Sequence, residues 1–303
     1  MIPTLRLPYA LQRYLNGCVD AFLKGQSDHH QNFTQPLREE ALVPAQSVSW
    51  RILKNPVSLF IGGTAAVILE LADPAVRAGV WEHSSFRKDP LRRLGRTGLA
   101  AMISVYAARS VAEPMIARVV RMHASVHGTT PAGLRYSASD PRLLTWVHAT
   151  ASFGFVEAYS RFVEPLSAEN VSDFYREGAP VSNLYGAHDT PQSAADTQAL
   201  FDATFSRLAP SPIIFEFLRI MHETPAFPRP LRWLQPVLLR AAVEIIPPRL
   251  RERLGLSEHY GLRGTERWLT RWAGASADRI VLPASPAVQS CLRLGLPMTH
   301  LYA

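Results

Sequence analysis

Apolar residues along this chain recur mostly at intervals of three and four, which is the spacing of one face of an α-helix. The clearest cases are a nearly continuous apolar stretch at 57–72 and apolar stripes at 116–127 and 144–155. The alternation of apolar and polar residues that is typical of strands is nearly absent, and the run 279–282 is the one candidate strand. The pattern therefore predicts an all-α fold.

Helix starts are marked by a residue with a side-chain oxygen followed by proline. The oxygen caps free backbone N–H groups, and proline, which has no N–H, is tolerated in the first turn because an N–H there has no partner within the helix. Asp73-Pro74, Asp89-Pro90, Asp140-Pro141 and Thr190-Pro191 fit this pattern, and Ser167 is a further cap candidate. With these starts we predict helices at 8–24, 57–72, 74–84, 90–107, 111–127, 141–160, 168–186, 191–208, 212–221, 229–245, 248–254, 262–273 and 285–293.

A single helical domain is predicted, since no internal repeat or low-complexity tract divides the chain. Residues 1–49 are expected to form an N-terminal helix and a loop that covers the body or links the helix to it. Residues 50–255 are the expected catalytic core, and residues 256–303 a helical extension packed on that core. The apolar stretch at 57–72 is short for a membrane span and contains Glu70, so we expect a buried helix there.

The chain is basic, with a formal net charge of +7 at pH 7. Its arginines are scattered and interleaved with acidic residues, and no basic run carries the aromatic series that stacks on bases, so nucleic acid is not an expected partner. Peripheral contact with an anionic membrane surface is the alternative interpretation of the charge.

The two cysteines, Cys18 and Cys291, are too few for a disulfide framework or a structural zinc cluster. This usage fits a reducing compartment, and the N-terminal residues lack the pattern of a secretory signal, so a cytoplasmic location is expected. Phosphate-binding glycine loops and nucleophile elbows are also missing from the sequence, which argues against those enzyme classes.

Two histidines lie on apolar helical stripes. His123 shares a face with Ile116, Val119 and Val120, and His148 shares a face with residues 144, 147, 151 and 155. A buried imidazole needs a hydrogen-bond partner or a metal, because an unpaired polar atom costs about 1–3 kcal/mol. Both are therefore either core histidines satisfied by other groups, or residues that flank or ligate a planar cofactor.

Arg93 and Thr97 are four residues apart and so are neighbours on one face of the helix predicted at 90–107. A guanidinium beside a hydroxyl can hold a carboxylate, a propionate or a polarised dioxygen. An exposed helix start is the alternative interpretation.

A series of ordered motifs resembles a bacterial and fungal family that includes the MpaB oxygenase and the latex-clearing protein, or rubber oxygenase. The resemblance covers residues 50–255 and does not depend on one short pattern. The motifs are GGTAAVILELADP from Gly62, GVWEHS from Gly79, RLGRT from Arg93, MHASVHG from Met122, YSASDP from Tyr136, WVH from Trp146, AY at Ala158 and IIPPRLR from Ile245.

This resemblance implies an all-helical protein with a globin-like core around a non-covalent b-type haem. It implies that His123 is the proximal iron ligand and that His148 supports the haem pocket. Arg93 and Thr97 would belong to the distal pocket and act in catalysis. Arg96 would also contact the cofactor.

The sequence departs from the family pattern at several positions. Arg96 stands where rubber oxygenases carry a lysine that can occupy the sixth iron position, and a guanidinium is a poor iron ligand. Asp73-Pro74 replaces the usual His-Pro. The catalytic glutamate of the rubber enzymes has two candidate positions here, Glu70 and Glu82. Polyisoprene is therefore not the expected substrate.

The leading hypothesis is a haem b-dependent oxygenase that combines dioxygen with a small apolar substrate, for which an isoprenoid or other alkene is suitable. One alternative is a non-catalytic haem-binding or haem-sensing protein. Another is a non-haem metal enzyme using His123 and His127, whose four-residue spacing can place two imidazoles on one metal. A purely structural or lipid-surface role is the last alternative.

Overall fold

Helices make up nearly all regular structure in residues 4–25 and 32–302, the part of the chain that the computed structural model describes. They are α1 (Tyr9–Gly25), α2 (Val48–Leu53), α3 (Pro56–Ala72), α4 (Pro74–His83), α5 (Pro90–Tyr106), α6 (Arg109–Ala124), α7 (Pro141–Phe162), α8 (Ala168–Glu177), α9 (Ala179–Tyr185), α10 (Ala194–Thr204), α11 (Pro212–Glu223), α12 (Gln235–Ile245), α13 (Pro248–Arg253), α14 (Gly264–Asp278) and α15 (Pro286–Arg293). Short 3₁₀ turns lie at Arg229–Leu234, Glu258–Tyr260 and His300–Tyr302. The predicted all-α class is confirmed, and a globin-like core around a haem stays a prediction.

The predicted caps form as expected at four helix starts. The Asp73 carboxylate accepts from the N–H of Ala75 at 2.9 Å, and Asp89 and Asp140 cap α5 and α7 in the same way. Ser167 caps α8. Thr190-Pro191 does not start a helix, because the side chain of Ser193 caps α10 three residues further on.

One short hairpin replaces part of a predicted helix. α6 ends at Ala124 instead of residue 127, and the chain turns into β1 (His127–Thr129), which pairs antiparallel with β2 (Arg135–Ser137). The candidate strand at 279–282 is not a strand. The three- and four-residue spacing of the α6 stripe continues past the end of the helix into the hairpin. A prediction from this spacing alone therefore placed the end of α6 too late.

Two other predicted boundaries were wrong. The helix predicted at 168–186 is divided at Gly178, because Pro180 removes a backbone donor and starts α9. The predicted N-terminal loop ends at α2, which begins at Val48; Ser47 caps its first turn, and the distant carboxylate of Glu177 accepts from the N–H groups of Val48 and Ser49. Residues 26–31 of that loop lie outside the described residues.

α3 and α7 form the centre of the molecule and cross with their backbones in contact. A Cβ at Gly62 would lie 2.6 Å from the carbonyl oxygen of Gly154, and a Cβ at Gly154 would lie 2.3 Å from that of Gly62. Both helices contribute to two apolar clusters, one shared mainly with α11 and α12 and one shared mainly with α2, α5, α6 and the N-terminal loop. The α3–α7 crossing therefore joins the two halves of the core.

α3 is the most apolar helix, as its sequence predicts, and most of its residues are buried. No helix of the described chain is by itself long and apolar enough to cross a membrane. α3 and α4 together reach that length and composition, but they meet at an angle of 110°.

A buried polar cluster fixes the start of α3 to the end of α14. The Lys54 side chain is only 2% exposed, and its ammonium lies 2.6 Å from the carboxylate of Asp278. The Asn55 side chain caps α3 by accepting from Val57 and Ser58 and donates to the carbonyl of Gly274. The cluster connects residues more than 200 positions apart, so α14 is part of the body that α3 and α7 build.

A buried arginine holds the segment after residue 32 against the C-terminal part. The guanidinium of Arg293 donates to the carbonyls of Phe33 (3.1 Å) and Glu39 (2.9 Å). The Glu39 carboxylate in turn accepts from the N–H and hydroxyl of Ser110 at the start of α6. The described part of the loop is thus held against the body and carries one of the caps of α6.

The Gly62-Gly63 pair offers a matched test of the helix crossing. Gly62→Ala should lower the free energy of unfolding by about 1–3 kcal/mol, since its methyl group meets backbone atoms that cannot move aside. Gly63→Ala should be neutral or should stabilise by about 0.5–1 kcal/mol, because its Cβ makes an ordinary 3.9 Å contact with Phe155 and alanine favours the helix. Urea unfolding measures both, and equal effects would contradict the close crossing.

Candidate active site

His123 lies in the last turn of α6 with no hydrogen bond from its ring to any described residue. Its Nδ1 is buried and unpartnered, although the residue as a whole is half-buried. Burial, followed by the positive charge of Arg93, lowers the pKa of His123 below its ordinary value. The ring is therefore neutral at pH 7 and keeps a free lone pair in either tautomer.

The ring lines a cavity of about 230 Å³ between α6, the start of α7 and the end of α9. Gly186 ends α9 with a φ of +91°, and a Cβ there would lie 3.3 Å from the side chain of Leu144. The other lining residues are Val120, Ser139, Pro141, Leu144, Tyr185 and His188. The cavity walls are mixed, with apolar side chains beside imidazole and phenol groups.

Arg93 is coupled through its charge to two titratable groups on neighbouring helices, Glu70 of α3 and His123 of α6. Burial raises the pKa of the Glu70 carboxyl to about 7, and the Arg93 guanidinium opposes that rise. Burial also lowers the pKa of Arg93, while Glu70 works against this. α3, α5 and α6 therefore bring a carboxyl, a guanidinium and an imidazole into one electrostatic neighbourhood.

Thr97 orients the guanidinium of Arg93, one turn away on α5. The guanidinium donates to the Thr97 hydroxyl, which donates in turn to the Arg93 carbonyl at 3.0 Å. The other N–H groups of Arg93 have no hydrogen-bond partner among the described residues. They are not buried, so solvent can reach them. They remain free for a carboxylate or another anionic group.

His148 and Arg96 lie apart from this group. Nε2 of His148 is 3.4 Å from the Ser152 hydroxyl, its ring packs on Gly178, and burial lowers its pKa to about 4. It does not line the cavity of His123. Arg96 is exposed on α5, and its charge contributes to the lowered pKa of Arg93.

The pairing of His123 with His127 on one helix was wrong. α6 ends before His127, which is exposed on β1 opposite Ser137. The residues that the structure describes contain no group of three side chains able to hold a metal ion. A non-haem centre built on these two histidines therefore lacks its ligands.

The stripe of α7 that carries His148 is partly accessible, whereas the sequence pattern indicated a face that points into the core. On α7 the buried positions are Leu143, Trp146 and Ala149, and the predicted inward face at 144, 147, 148, 151 and 155 is partly accessible. On α3, Gly63, Val67 and Glu70 are accessible in the same way. Hydrophobic periodicity does not distinguish a core face from the wall of a cavity.

Tyr136 organises the motifs around the hairpin, a role that sequence reasoning missed. Its hydroxyl donates to Glu82 at 3.1 Å and lies 3.1 Å from Nε2 of His83. Its ring packs against Gly79, and a Cβ at Gly128 would lie 2.8 Å from its oxygen. Glu82 is thus engaged by Tyr136, and of the two candidate glutamates only Glu70 is coupled to Arg93.

The neutral His148 should make folding sensitive to acid. Its folded-state pKa of about 4 lies below the ordinary value of 6.5, so only the unfolded chain takes up this proton between these values and stability falls as pH falls. Between pH 7 and pH 4 the wild type should lose free energy of unfolding, and His148→Gln should make this loss smaller by about 3 kcal/mol. Urea unfolding at the two pH values measures the difference. His127→Gln, at an exposed position, should keep the wild-type loss, and an equal change in both variants would contradict the assignment.

Glu70 should have the opposite pH dependence. Its folded-state pKa of about 7 lies above the ordinary 4.5. The destabilisation that comes from ionising this carboxyl in the folded state is therefore absent below pH 4.5 and grows as pH rises through 7. Glu70→Gln should therefore be more stable than wild type at pH 8 by up to about 3 kcal/mol, with no such gain at pH 4. The exposed Glu113→Gln is the control, and a gain that did not depend on pH would count against a raised pKa.

Comparison of the sequence with known protein families identifies the family of this chain. The sequence profile described as ER-bound oxygenase mpaB/B'/Rubber oxygenase, catalytic domain, matches residues 50–277. No curated protein and no solved structure matches the chain significantly. The matched range includes Glu70, Arg93, Thr97, His123 and His148 and spans more than two thirds of the 303 residues. The chain therefore belongs to the family of mpaB and rubber oxygenase catalytic domains.

Proposed function

We propose that this member of an oxygenase family is a haem b-dependent enzyme in which His123 binds the iron and the substrate is a small apolar molecule, such as an isoprenoid or another alkene. The family match supports oxygenase activity, with dioxygen as co-substrate. The unpartnered imidazole of His123 on a cavity wall is the observation that carries the haem assignment.

The chemistry of His123 fits an iron ligand. Iron takes the lone pair of a neutral imidazole, and burial together with Arg93 keeps this ring neutral. A core histidine would have a hydrogen-bond partner, whereas this ring has a buried nitrogen with none among the described residues. The absence of a Cys-x-x-Cys-His motif agrees with haem that is held without covalent bonds.

A haem would need more space than the cavity that His123 lines. That cavity, at about 230 Å³, is smaller than the roughly 300–1,000 Å³ typical of cofactor sites. The proposal therefore requires further apolar walls, and we propose for them the partly buried apolar residues of α3, α5 and α7, among them Val67, Met102, Val147, Ala151 and Phe155. The free N–H groups of Arg93 suit a propionate carboxylate.

A bound haem would supply the oxidative chemistry, and the protein residues would set its surroundings. Thr97 orients the Arg93 guanidinium, which attracts a carboxylate or a polarised oxygen. Glu70, with a pKa of about 7, can hold or release a proton near neutral pH beside that fixed charge. The apolar walls exclude water and favour an apolar substrate.

The first test is an absorption spectrum of protein produced with a haem precursor. Wild type should carry haem with an intense Soret band, and His123→Ala should lose most of the haem or shift the band, because the axial ligand is removed. His127→Ala, at an exposed histidine four residues along the chain, should match wild type. A full haem content and an unchanged spectrum in His123→Ala would exclude His123 as the ligand.

A second measurement separates an enzyme from a non-catalytic haem-binding protein. Dioxygen uptake by the haem-loaded protein should rise on addition of a short isoprenoid alkene and should fall in Arg93→Gln, which keeps the size of the side chain better than alanine but removes its charge. Haem binding without uptake for any alkene tested would favour the sensor or carrier function.

A further inference from the structure

The outer face of α14 carries two tryptophans that no described side chain covers. Trp268 is 69% exposed and Trp272 is 53% exposed, and they lie one turn apart on the helix. Neither indole makes an aromatic, cation–π or hydrogen-bond contact in the described chain. Single exposed apolar residues are common, but adjacent indoles with free N–H groups are suited to a membrane–water interface.

An arginine-lined cleft of about 400 Å³ lies beside these tryptophans, between α7, α12 and α14. Its charged residues are Arg161, Glu244, Arg267 and Arg271, and Arg161 is paired with Glu157 at 2.8 Å. Glu244 is engaged by Arg267 at 2.7 Å and by Arg251 at 3.6 Å. Arg271 has no ion-pair partner in the described chain, which leaves the cleft with an excess of positive charge.

The two features share one helix face. Arg267 and Arg271 are four residues apart along one edge of the exposed face of α14, and Trp268 and Trp272 follow the other edge. The opposite face, which includes Thr270, Ala273 and Gly274, is buried against the core, where a Cβ at Gly274 would lie 2.3 Å from the carbonyl oxygen of Phe162. This contact determines which side of α14 faces the core, so the indoles and the guanidiniums both face outward.

We propose that this face of α14 docks on a membrane that contains anionic phospholipids. The indoles would lie at the level of the headgroups, and the cleft arginines would face the lipid phosphates. The net charge of +7 adds general attraction to such a surface. The proposal does not depend on the haem assignment, because none of these residues belongs to the candidate active site.

Vesicle sedimentation with the full chain tests the proposal. The protein should bind vesicles of mixed phosphatidylcholine and phosphatidylglycerol more tightly than vesicles of phosphatidylcholine alone. The double variant Trp268→Ala/Trp272→Ala should weaken binding by about tenfold or more, since two large amphipathic rings leave the interface. Arg271→Gln should weaken it about fivefold, and this difference should shrink in high salt.

Two exposed residues elsewhere serve as matched controls. Trp233→Ala removes an indole that is 57% exposed but lies outside α14, and Arg121→Gln removes an exposed charge on α6. Both should bind vesicles like wild type. Equal losses in the controls, or no binding to anionic vesicles, would overturn the proposal.

Two further outcomes would also overturn it. Stabilisation of the wild type by inorganic phosphate without vesicle binding would assign the cleft to a soluble anion. A dimer in sedimentation velocity that the double tryptophan variant abolishes, again without vesicle binding, would assign the face to a second copy of the chain.

Discussion

The contact between the backbones of α3 and α7 at Gly62 and Gly154 is the constraint on which the rest of the structure depends. Helix axes usually stay 8–10 Å apart because side chains separate them, and only positions without a Cβ allow the closer approach found here. Both halves of the core are built on this pair of helices.

The electrostatics of the candidate site depend on one permanent charge. Arg93 favours the neutral form of His123 and the ionised form of Glu70, while burial favours the neutral form of both. The two effects add at the imidazole and oppose each other at the carboxyl. The pKa of the carboxyl is consequently about 7, whereas the imidazole, whose pKa is lowered by both effects, is neutral at pH 7.

Local signals in the sequence were sufficient for much of the fold. The Asp-Pro pairs at residues 73, 89 and 140 cap helices as predicted, because a cap depends only on residues within one turn. α2 was not predicted: it has only six residues, and its local cap at Ser47 is supplemented by Glu177, far along the chain, which accepts from the N–H groups of Val48 and Ser49. The end of α6 was misplaced because the apolar spacing continues past Ala124.

The site was predictable only in part. The spacing of Arg93 and Thr97 on one helical face was enough to place these two side chains together. Their coupling to Glu70 and His123 depends on how α3, α5 and α6 pack, and no local pattern contains that information. The partly accessible stripe on α7 shows the same limit, because a residue on an apolar face can border either the core or an internal space.

The buried ion pair between Lys54 and Asp278 sets a lower bound on the length of chain that can fold independently. The family match ends at residue 277, one position before this carboxylate, so a fragment cut at the edge of the match would leave the Lys54 ammonium buried without its counter-ion. Loss of one partner from such a pair typically costs about 3–5 kcal/mol, a large share of the stability of an ordinary domain. A fragment that keeps this ion pair must therefore extend at least to Asp278, the last residue of α14.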